Sequence, residues 1–555
     1  MSTQKSEPKF IFVVGGVISG VGKGITASSL GKILQDRGLT VTALKIDPYV
    51  NVDAGTMNPT EHGEVFVLDD GDETDQDMGN YERFLGTTLT RTNYMTTGRV
   101  YQAVIEKERN LLYGGKCVEV VPHVPLEIIE RIKKATEDAR ADVAVIEVGG
   151  TVGEYQNILF LEAARMMKIK NPKDVLFVMV SYLPVPSKVG EMKTKPTQYA
   201  VRTLNASGIQ PDIIVARADR PLDEKRKEKL AFSCNVPQSH IISAPDVESI
   251  YDVPINFEKE HLSDLMCDLL TVKCGKPNSP RFLEWKKFVS NVHNSKEEVR
   301  IAVIGKYFET GDFVLSDAYL SVIEAVKYSA YALKKKPVLV WFNALDFEKD
   351  PKKVKELAKY DGILVPGGFG ARGIEGKLNV IKYAREHKIP YFGLCYGMQL
   401  LVIEFARNVA RLKGAHTREV DPKSPFLVID VMESQKDIID GKNKKYGGTM
   451  RVGAYPCVLK DGTHARSAYG VAKISERHRH RYEVNQKYVK ELEEKGLVFS
   501  GVSPDKTLME IAELPKGVHP FMLGVQFHPE FKARPLEPHP LFTAFIKASL
   551  KNKGK

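Results

Sequence analysis

Cys395 lies in Gly393-Leu394-Cys395-Tyr396-Gly397-Met398-Gln399, where an apolar run meets a helical pattern, and Phe527-His528-Pro529-Glu530 follows far downstream. A cysteine between small residues at a strand-to-helix junction is the setting of a strained nucleophile elbow, and a distant His-x-Glu supplies a base and the carboxylate that orients it. Thioester chemistry is the expectation. Pro366-Gly367-Gly368-Phe369-Gly370 ends another apolar run, Gly362-Ile363-Leu364-Val365, and would bring a backbone N–H beside the nucleophile to complete an oxyanion hole. A buried structural cysteine plus an incidental surface histidine explains the same residues less well, because each half carries its own flanking pattern. The basic run Arg477-His478-Arg479-His480-Arg481-Tyr482-Glu483 reads by itself as a solvated charged face or an anion patch, with no cysteine or carboxylate at zinc spacing.

The N-terminal half carries a second chemistry. Phe10-Ile11-Phe12-Val13-Val14 reads as a buried parallel strand, followed by Gly15-Gly16-Val17-Ile18-Ser19-Gly20-Val21-Gly22-Lys23-Gly24 and a helical pattern through Leu30 and Leu34. Strand, glycine loop and helix make a phosphate cradle, in which successive N–H groups and a lysine face the anion. The strict Walker spacing is not met, and Gly24 stands where a Ser or Thr would follow the lysine. Ordinary βα-turn glycines therefore stay open as a reading, and G-x-G-x-x-G does not fit. Polar residues cluster next, in Lys45-Ile46-Asp47-Pro48-Tyr49, His62-Gly63-Glu64-Val65-Phe66, Glu73-Thr74-Asp75-Gln76-Asp77 and Tyr81-Glu82-Arg83-Phe84. Carboxylates after a phosphate cradle suit Mg²⁺, which takes one or two of them and keeps waters. Glu147 closes a further apolar strand in the manner of a Walker-B acid, and Lys193-Thr194-Lys195-Pro196-Thr197-Gln198 has the composition of a triphosphate and base site.

The C-terminal motifs resemble the class I glutamine amidotransferase domain, which releases ammonia from glutamine. That resemblance implies Cys395 as nucleophile, His528 as base and Glu530 as its orienter, with Gly368 and the Tyr396 N–H holding the oxyanion and Gly397, Met398, Gln399, Glu419 and Arg481 in the glutamine site. Over nearly its whole length the chain resembles the CTP synthase family, amidoligases that use UTP, ATP and glutamine. The resemblance implies that Ser19, Gly20, Val21, Gly22, Lys23, Gly24, Lys45 and Asp77 serve ATP, with Asp77 and Glu147 on Mg²⁺. It places UTP or inhibitory CTP at Ser19, Glu154, Tyr155, Gln156, Lys193, Thr194, Lys195, Pro196, Thr197, Gln198 and Lys229, and GTP as an allosteric effector near Arg372 and Arg451. A homotetramer and filaments are further implications. His62 falls where the family has the inner end of an ammonia tunnel, as a gate or as a histidine simply satisfied within the fold.

Chemistry gives a reason for pairing the two halves. The uracil C4 oxygen leaves poorly, and transfer of the ATP γ-phosphoryl group would turn it into phosphate in 4-phospho-UTP, which ammonia then displaces. Ammonium is not a nucleophile, so making ammonia internally is favoured.

The elements that must hold these residues are alternating strand and helix patterns in both halves, so the fold expected is α/β in two domains with largely parallel sheets: an N-terminal P-loop-like amidoligase domain and a C-terminal class I glutaminase domain. The boundaries read as residues 1–274, a turn-rich linker at 275–298, and 299–555. With 555 residues and 43% hydrophobic content the chain can bury two or three cores. No stretch is long and apolar enough to span a membrane, and the polar start lacks a signal-peptide core, so a cytoplasmic protein is expected. Six cysteines without C-x-x-C indicate neither a disulfide framework nor a zinc site. The net charge of +10, from 80 basic and 70 acidic residues, comes with no nucleic-acid module.

Two departures from the family stand out. Glu154-Tyr155-Gln156 replaces the usual Asp-Ile-Glu, and the segment from Lys306 to Tyr319, which corresponds to a lid linked to GTP, is longer by a few residues. Another glutamine-dependent ATP amidoligase, and a silent scaffold or filament protein, are the competing readings. The run from Lys193 to Gln198 argues against the first, and the intact Cys395, His528, Glu530 and Lys23 against the second.

Overall fold

The computed structural model describes residues 7–188, 190–305, 316–432, 435 and 449–553. They form two compact units, Met1–Asp53 with Asp77–Val289, and Ala54–Gln76 with Ser290–Lys555. The segment Ala54–Gln76, which a contiguous division leaves in the N-terminal half, packs inside the C-terminal unit. Most of the supposed linker is a helix, Pro280–Asn294. Its Trp285 is fully buried among Phe84, Tyr251 and Phe288 and donates its indole N–H to the Tyr251 carbonyl at 3.0 Å, so burial of one aromatic residue fixes the helix.

The first unit holds a seven-stranded sheet in the order Tyr94–Thr96, Val41–Asp47, Val143–Val148, Lys9–Gly16, Val175–Tyr182, Ile213–Ala218, Ile241–Pro245. Every pairing is parallel. The Lys9–Gly16 strand is buried at each of its positions because helices cover both faces, which is why it reads as an unbroken apolar run. It lies at the point where strand order reverses, and the crevice at the carboxyl ends of such strands is where α/β sheets bind ligands.

The second unit holds a nine-stranded mixed sheet. It is parallel through Lys336–Asn343, Glu298–Gly305, Gly362–Val365, Tyr391–Leu394 and Met522–Val525, then antiparallel through Met509–Glu513, Val498–Val502, Arg451–Leu459 and Lys473–His480. The antiparallel half exceeds the largely parallel sheet expected here.

Cys267 and Cys274 form a disulfide, which corrects the reading that the six cysteines indicate none. The helix Leu262–Leu270 ends at a left-handed Thr271, and the reversal returns the chain so that the two Cα atoms lie 6.2 Å apart. Cys117, Cys234, Cys395 and Cys457 are free. Among the described residues no helix is long and apolar enough to cross a membrane. Residues 306–315, the core of the segment read as a lid, lie outside the described residues.

Candidate active sites

Cys395 stands at the junction of the strand Tyr391–Leu394 and the helix Tyr396–Asn408, with φ 47° and ψ −98°. For a non-glycine residue this conformation is strained, at a cost of about 1–3 kcal/mol, and the surroundings enforce it. The Cys395 N–H donates to Val525 at 2.6 Å, and a Cβ on Gly393 or Gly397 would lie 2.7 Å from the Gly397 carbonyl carbon or 2.3 Å from the Val365 oxygen. Only glycine permits so tight an elbow.

His528 Nδ1 lies 2.8 Å from Glu530 Oε1, and its ring stacks on Phe531. Its Nε2 is buried, and the ring interacts with the Cys395 side chain. Burial alone would lower the His528 pKa, but the Glu530 carboxylate and then Cys395 drive it up to about 10, so the imidazolium is favoured beside the sulfur. A Cβ on Gly367 would meet His528 Cε1 at 3.0 Å, which keeps the Gly367-Gly368 backbone directly over the pair.

A cavity of about 820 Å³ opens at Cys395, and Gly368, Tyr396, Gln399, Glu419, Arg481 and His528 line it. Glu419 accepts from the Gly370 N–H at 2.7 Å, and Arg481 donates to Gln435 and Thr449, both at 2.8 Å. Gly397 and Met398 do not line it; they pack inward, against Val365 and Gly524.

The opposite wall is the segment Ala54–Gln76, through Gly55, Thr56, Met57, Asn58, Glu64 and Val65. Arg479 donates to Glu73 at 2.7 Å and to the Gly55 carbonyl at 3.2 Å, Arg477 pairs with Asp69, and Glu64 accepts from Ser321. The strand Lys473–His480 thus alternates: Arg477 and Arg479 clamp this segment, while His478 and His480 point to a buried Arg451. The basic run is an interior wall, a role invisible locally because its acidic partners lie some four hundred residues away. His62 in this segment is exposed, so it is not a histidine satisfied in the core.

Arg451 corrects a second expectation. It is buried, donates to Glu510 at 2.8 Å and stacks on Tyr455, so its charge is spent inside the fold and unavailable to a nucleotide. Arg372 is exposed.

In the first unit, the glycine loop turns through positive φ at Val17, Gly20 and Gly22 into the helix Lys23–Asp36. Lys23 Nζ donates to the Gly150 carbonyl at 2.8 Å, and burial lowers its pKa. Lys45 Nζ lies 2.5 Å from Asp77, 2.9 Å from Glu147 and 3.6 Å from Asp47. Burial opposes the Lys45 charge, yet these carboxylates raise its pKa well above the usual value. A Cβ on Gly24 would sit 2.3 Å from Asp77 Oδ1. Glycine stands where the Walker hydroxyl would be because the Asp77 carboxylate overhangs that position. Two carboxylates beside the cradle fit Mg²⁺ that takes its remaining ligands from phosphate and water.

Sequence reasoning missed Arg217. It is the penultimate residue of the apolar strand Ile213–Ala218, its guanidinium would lie 2.5 Å from a Cβ on Gly22, it pairs with Asp246, and its buried Nε has no partner. A cation closing an apolar strand at the carboxyl edge was the available signal.

The residues expected to meet the pyrimidine nucleotide are dispersed in character. Glu154 folds back to accept from the Thr151 N–H at 2.9 Å, and Tyr155, Gln156, Lys195 and Lys229 are exposed. Lys193 pairs with Glu191, Gln198 donates to Thr194, and Thr197 is fully buried, accepting from Ser181. Ser19 and Gly20 are exposed at the loop tip.

Fold and sites define an enzyme that joins a Cys-His-Glu glutaminase to a phosphate-loop unit. The family described as CTP synthase N-terminus matches residues 9–272, and glutamine amidotransferase class-I matches 314–548. The chain is 48% identical over 544 residues to the CTP synthase of Halalkalibacterium halodurans, covering 98% of this chain and 99% of that one. It is 50% identical over 548 residues, with the same coverages, to that of Thermococcus gammatolerans. Among solved structures it resembles a Trypanosoma brucei CTPS glutaminase domain with bound acivicin, at 34% identity, a TM-score of 0.41, and coverage of 46% of this chain and 94% of that one. The chain belongs to the CTP synthase family.

Proposed function

We propose that this chain makes CTP from UTP, ATP and glutamine, with Cys395, His528 and Glu530 releasing ammonia and the Lys23 loop preparing its acceptor. The observation that carries this reading is that each unit holds one complete half of the chemistry: a strained cysteine facing a carboxylate-oriented imidazole in one, and Lys23, Lys45, Asp77 and Glu147 around a glycine loop in the other.

In the glutaminase half the Cys395 sulfur attacks the amide carbon of glutamine. The oxyanion forms against the Gly368 and Tyr396 N–H groups, the latter a donor left unpaired by the first helical turn. His528 passes its proton to the leaving nitrogen, ammonia departs, and water hydrolyses the thioester with His528 as base. Glu419 and Arg481, of opposite charge on one cavity wall, suit the amino and carboxylate ends of glutamine.

In the other half Lys23 and the loop N–H groups hold the ATP phosphates, and Arg217 presents its guanidinium beside them. Asp77 and Glu147 would hold Mg²⁺, which would supply charge neutralisation to the phosphates when bound. UTP and inhibitory CTP meet Ser19, Glu154–Gln156, the Lys193–Gln198 run and Lys229, and GTP acts as the allosteric effector, with Arg372 as the exposed cation for it. Exposed apolar side chains at Ile105, Leu111, Leu112, Val120, Val121 and Leu126 support a contact between subunits, and the assembly read here is a homotetramer in the cytoplasm, with filaments as a higher assembly. CTP formation from UTP and ATP with glutamine or ammonia as nitrogen donor, with and without GTP, tests the whole reading. Phosphate release that ignores UTP would point to a different amidoligase.

A further inference from the structure

Gln526 follows the strand Met522–Val525 and is 1% exposed. The extended backbone alternates, so Gln526 and His528 face Cys395 while Phe527 turns into the core against His478. Gln526 Nε2 lies 3.5 Å from Cys395 Sγ. Its Oε1 accepts from Gln399 Nε2 at 3.2 Å, and the same Gln399 nitrogen donates to the Tyr482 carbonyl at 2.9 Å. That chain sets the polarity of each amide: because a backbone carbonyl can only accept, Gln399 must present its NH₂ group, Gln526 must answer with oxygen, and its own NH₂ is left for the sulfur.

The other groups at Sγ offer it less. The Arg479 carbonyl, 3.8 Å away, accepts from the thiol S–H and has nothing to give once the proton leaves. The His528 imidazolium interacts with the sulfur as well, but its proton is the one that goes to the leaving nitrogen. Gln526 is a neutral side-chain donor that reaches the sulfur and keeps its N–H whether or not His528 has given up its proton.

We infer that Gln526 is a catalytic residue of the glutaminase half, holding the Cys395 sulfur through its amide N–H as the charged nucleophile forms and attacks. The inference rests on the glutaminase reading above and deepens it. A hydrogen bond to a charged group differs from a packing contact in a way that substitution can separate. Gln526→Met keeps the shape and removes the donor. Gln526→Glu keeps the shape and the acceptor for Gln399, and opposes the sulfur with oxygen.

The experiment measures glutamine hydrolysis, the rate of Cys395 alkylation by iodoacetamide, and the thermal unfolding midpoint of both variants beside the parent and Cys395→Ala. In Gln526→Met, kcat and the alkylation rate fall together by roughly 10- to 100-fold, the range of a hydrogen bond to an ionised partner, with KM within about twofold. Gln526→Glu loses more than Gln526→Met in both. If Gln526→Glu keeps the parent's kcat while Gln526→Met loses it, the residue acts through its contact with Gln399 and the inference falls. It falls equally if Gln526→Met keeps parental kcat and alkylation. A parent whose glutamine hydrolysis survives Cys395→Ala would overturn the glutaminase reading itself.

Discussion

The Lys45 ammonium lies 2.9 Å from Glu147 Oε1, in a pocket that excludes water from both groups. Three carboxylates converge there on one lysine, so negative groups outnumber positive ones and loss of that cation would leave them facing one another. Removing one partner of a buried ionic cluster typically costs about 3–5 kcal/mol. Lys45→Met is therefore expected to lower the unfolding midpoint and abolish CTP synthesis. Added Mg²⁺ should raise the midpoint of this variant more than that of the parent, a comparison thermal scans make directly.

Cys395→Ala should lose glutamine-dependent synthesis by about 10⁴-fold or more, since removing the nucleophile eliminates the covalent route, while ammonia-dependent synthesis continues. Lys23→Ala should lose both. Retained glutamine activity in the cysteine variant would show that another group does the chemistry.

The pH response of the glutaminase half follows from His528. Glu530 holds it protonated far beyond an ordinary histidine, up to about 10. The alkaline limb of glutamine hydrolysis should thus lie near that value, where the imidazolium loses its proton, and Glu530→Gln should move the limb to lower pH. Rates measured from neutral to alkaline pH with both proteins decide it. Coincident limbs would remove Glu530 from this role.

Acid stability should be governed by the two buried histidines beside Arg451. Burial first, and then the Arg451 guanidinium, hold His478 well below its usual pKa and His480 down to about 3. Both are neutral in the fold, whereas an unfolded histidine takes a proton below about 6.5. Their contribution is therefore intact above that pH and is lost as pH falls from there toward 3. His478→Asn should flatten the fall of the unfolding midpoint across this window. Parallel curves for parent and variant would place the acid lability elsewhere.

The Glu154-Tyr155-Gln156 departure offers a regulatory test. Gln156 is exposed, so its amide can be exchanged for a carboxylate without disturbing the core. CTP and UTP differ at the 4-position, and a charge exchanged near a ligand shifts binding by about 1 kcal/mol, roughly a factor of five. Gln156→Glu should change the CTP inhibition constant several-fold and the apparent UTP constant by less. Identical CTP titrations would mean that Gln156 does not touch the inhibitor.

The cysteine elbow, the His-x-Glu pair and the phosphate loop were legible because each is made of neighbours, and local spacing carries their geometry. Arg451 was not, because an arginine reads as a free cation until its Glu510 partner and Tyr455 are placed beside it. Arg217 escaped notice because its target is a glycine loop nearly two hundred positions earlier. Gly24 is the instructive intermediate: its departure from the Walker pattern was visible at once, but its reason, the overhanging Asp77, came from packing.

The inclusion of Ala54–Gln76 in the second unit bears on how this enzyme could be inherited or engineered. A gene cut at the helix Pro280–Asn294 would divide the chain between its two sheets, yet the downstream product would encode a glutamine cavity without its far wall, and would leave Arg477 and Arg479 facing water in place of Asp69 and Glu73. The upstream product would carry Phe66, made to pack on Phe531, with nothing to cover it. Chain order and folded unit are out of step here, so the two halves travel as one open reading frame or each loses a piece of the other's making.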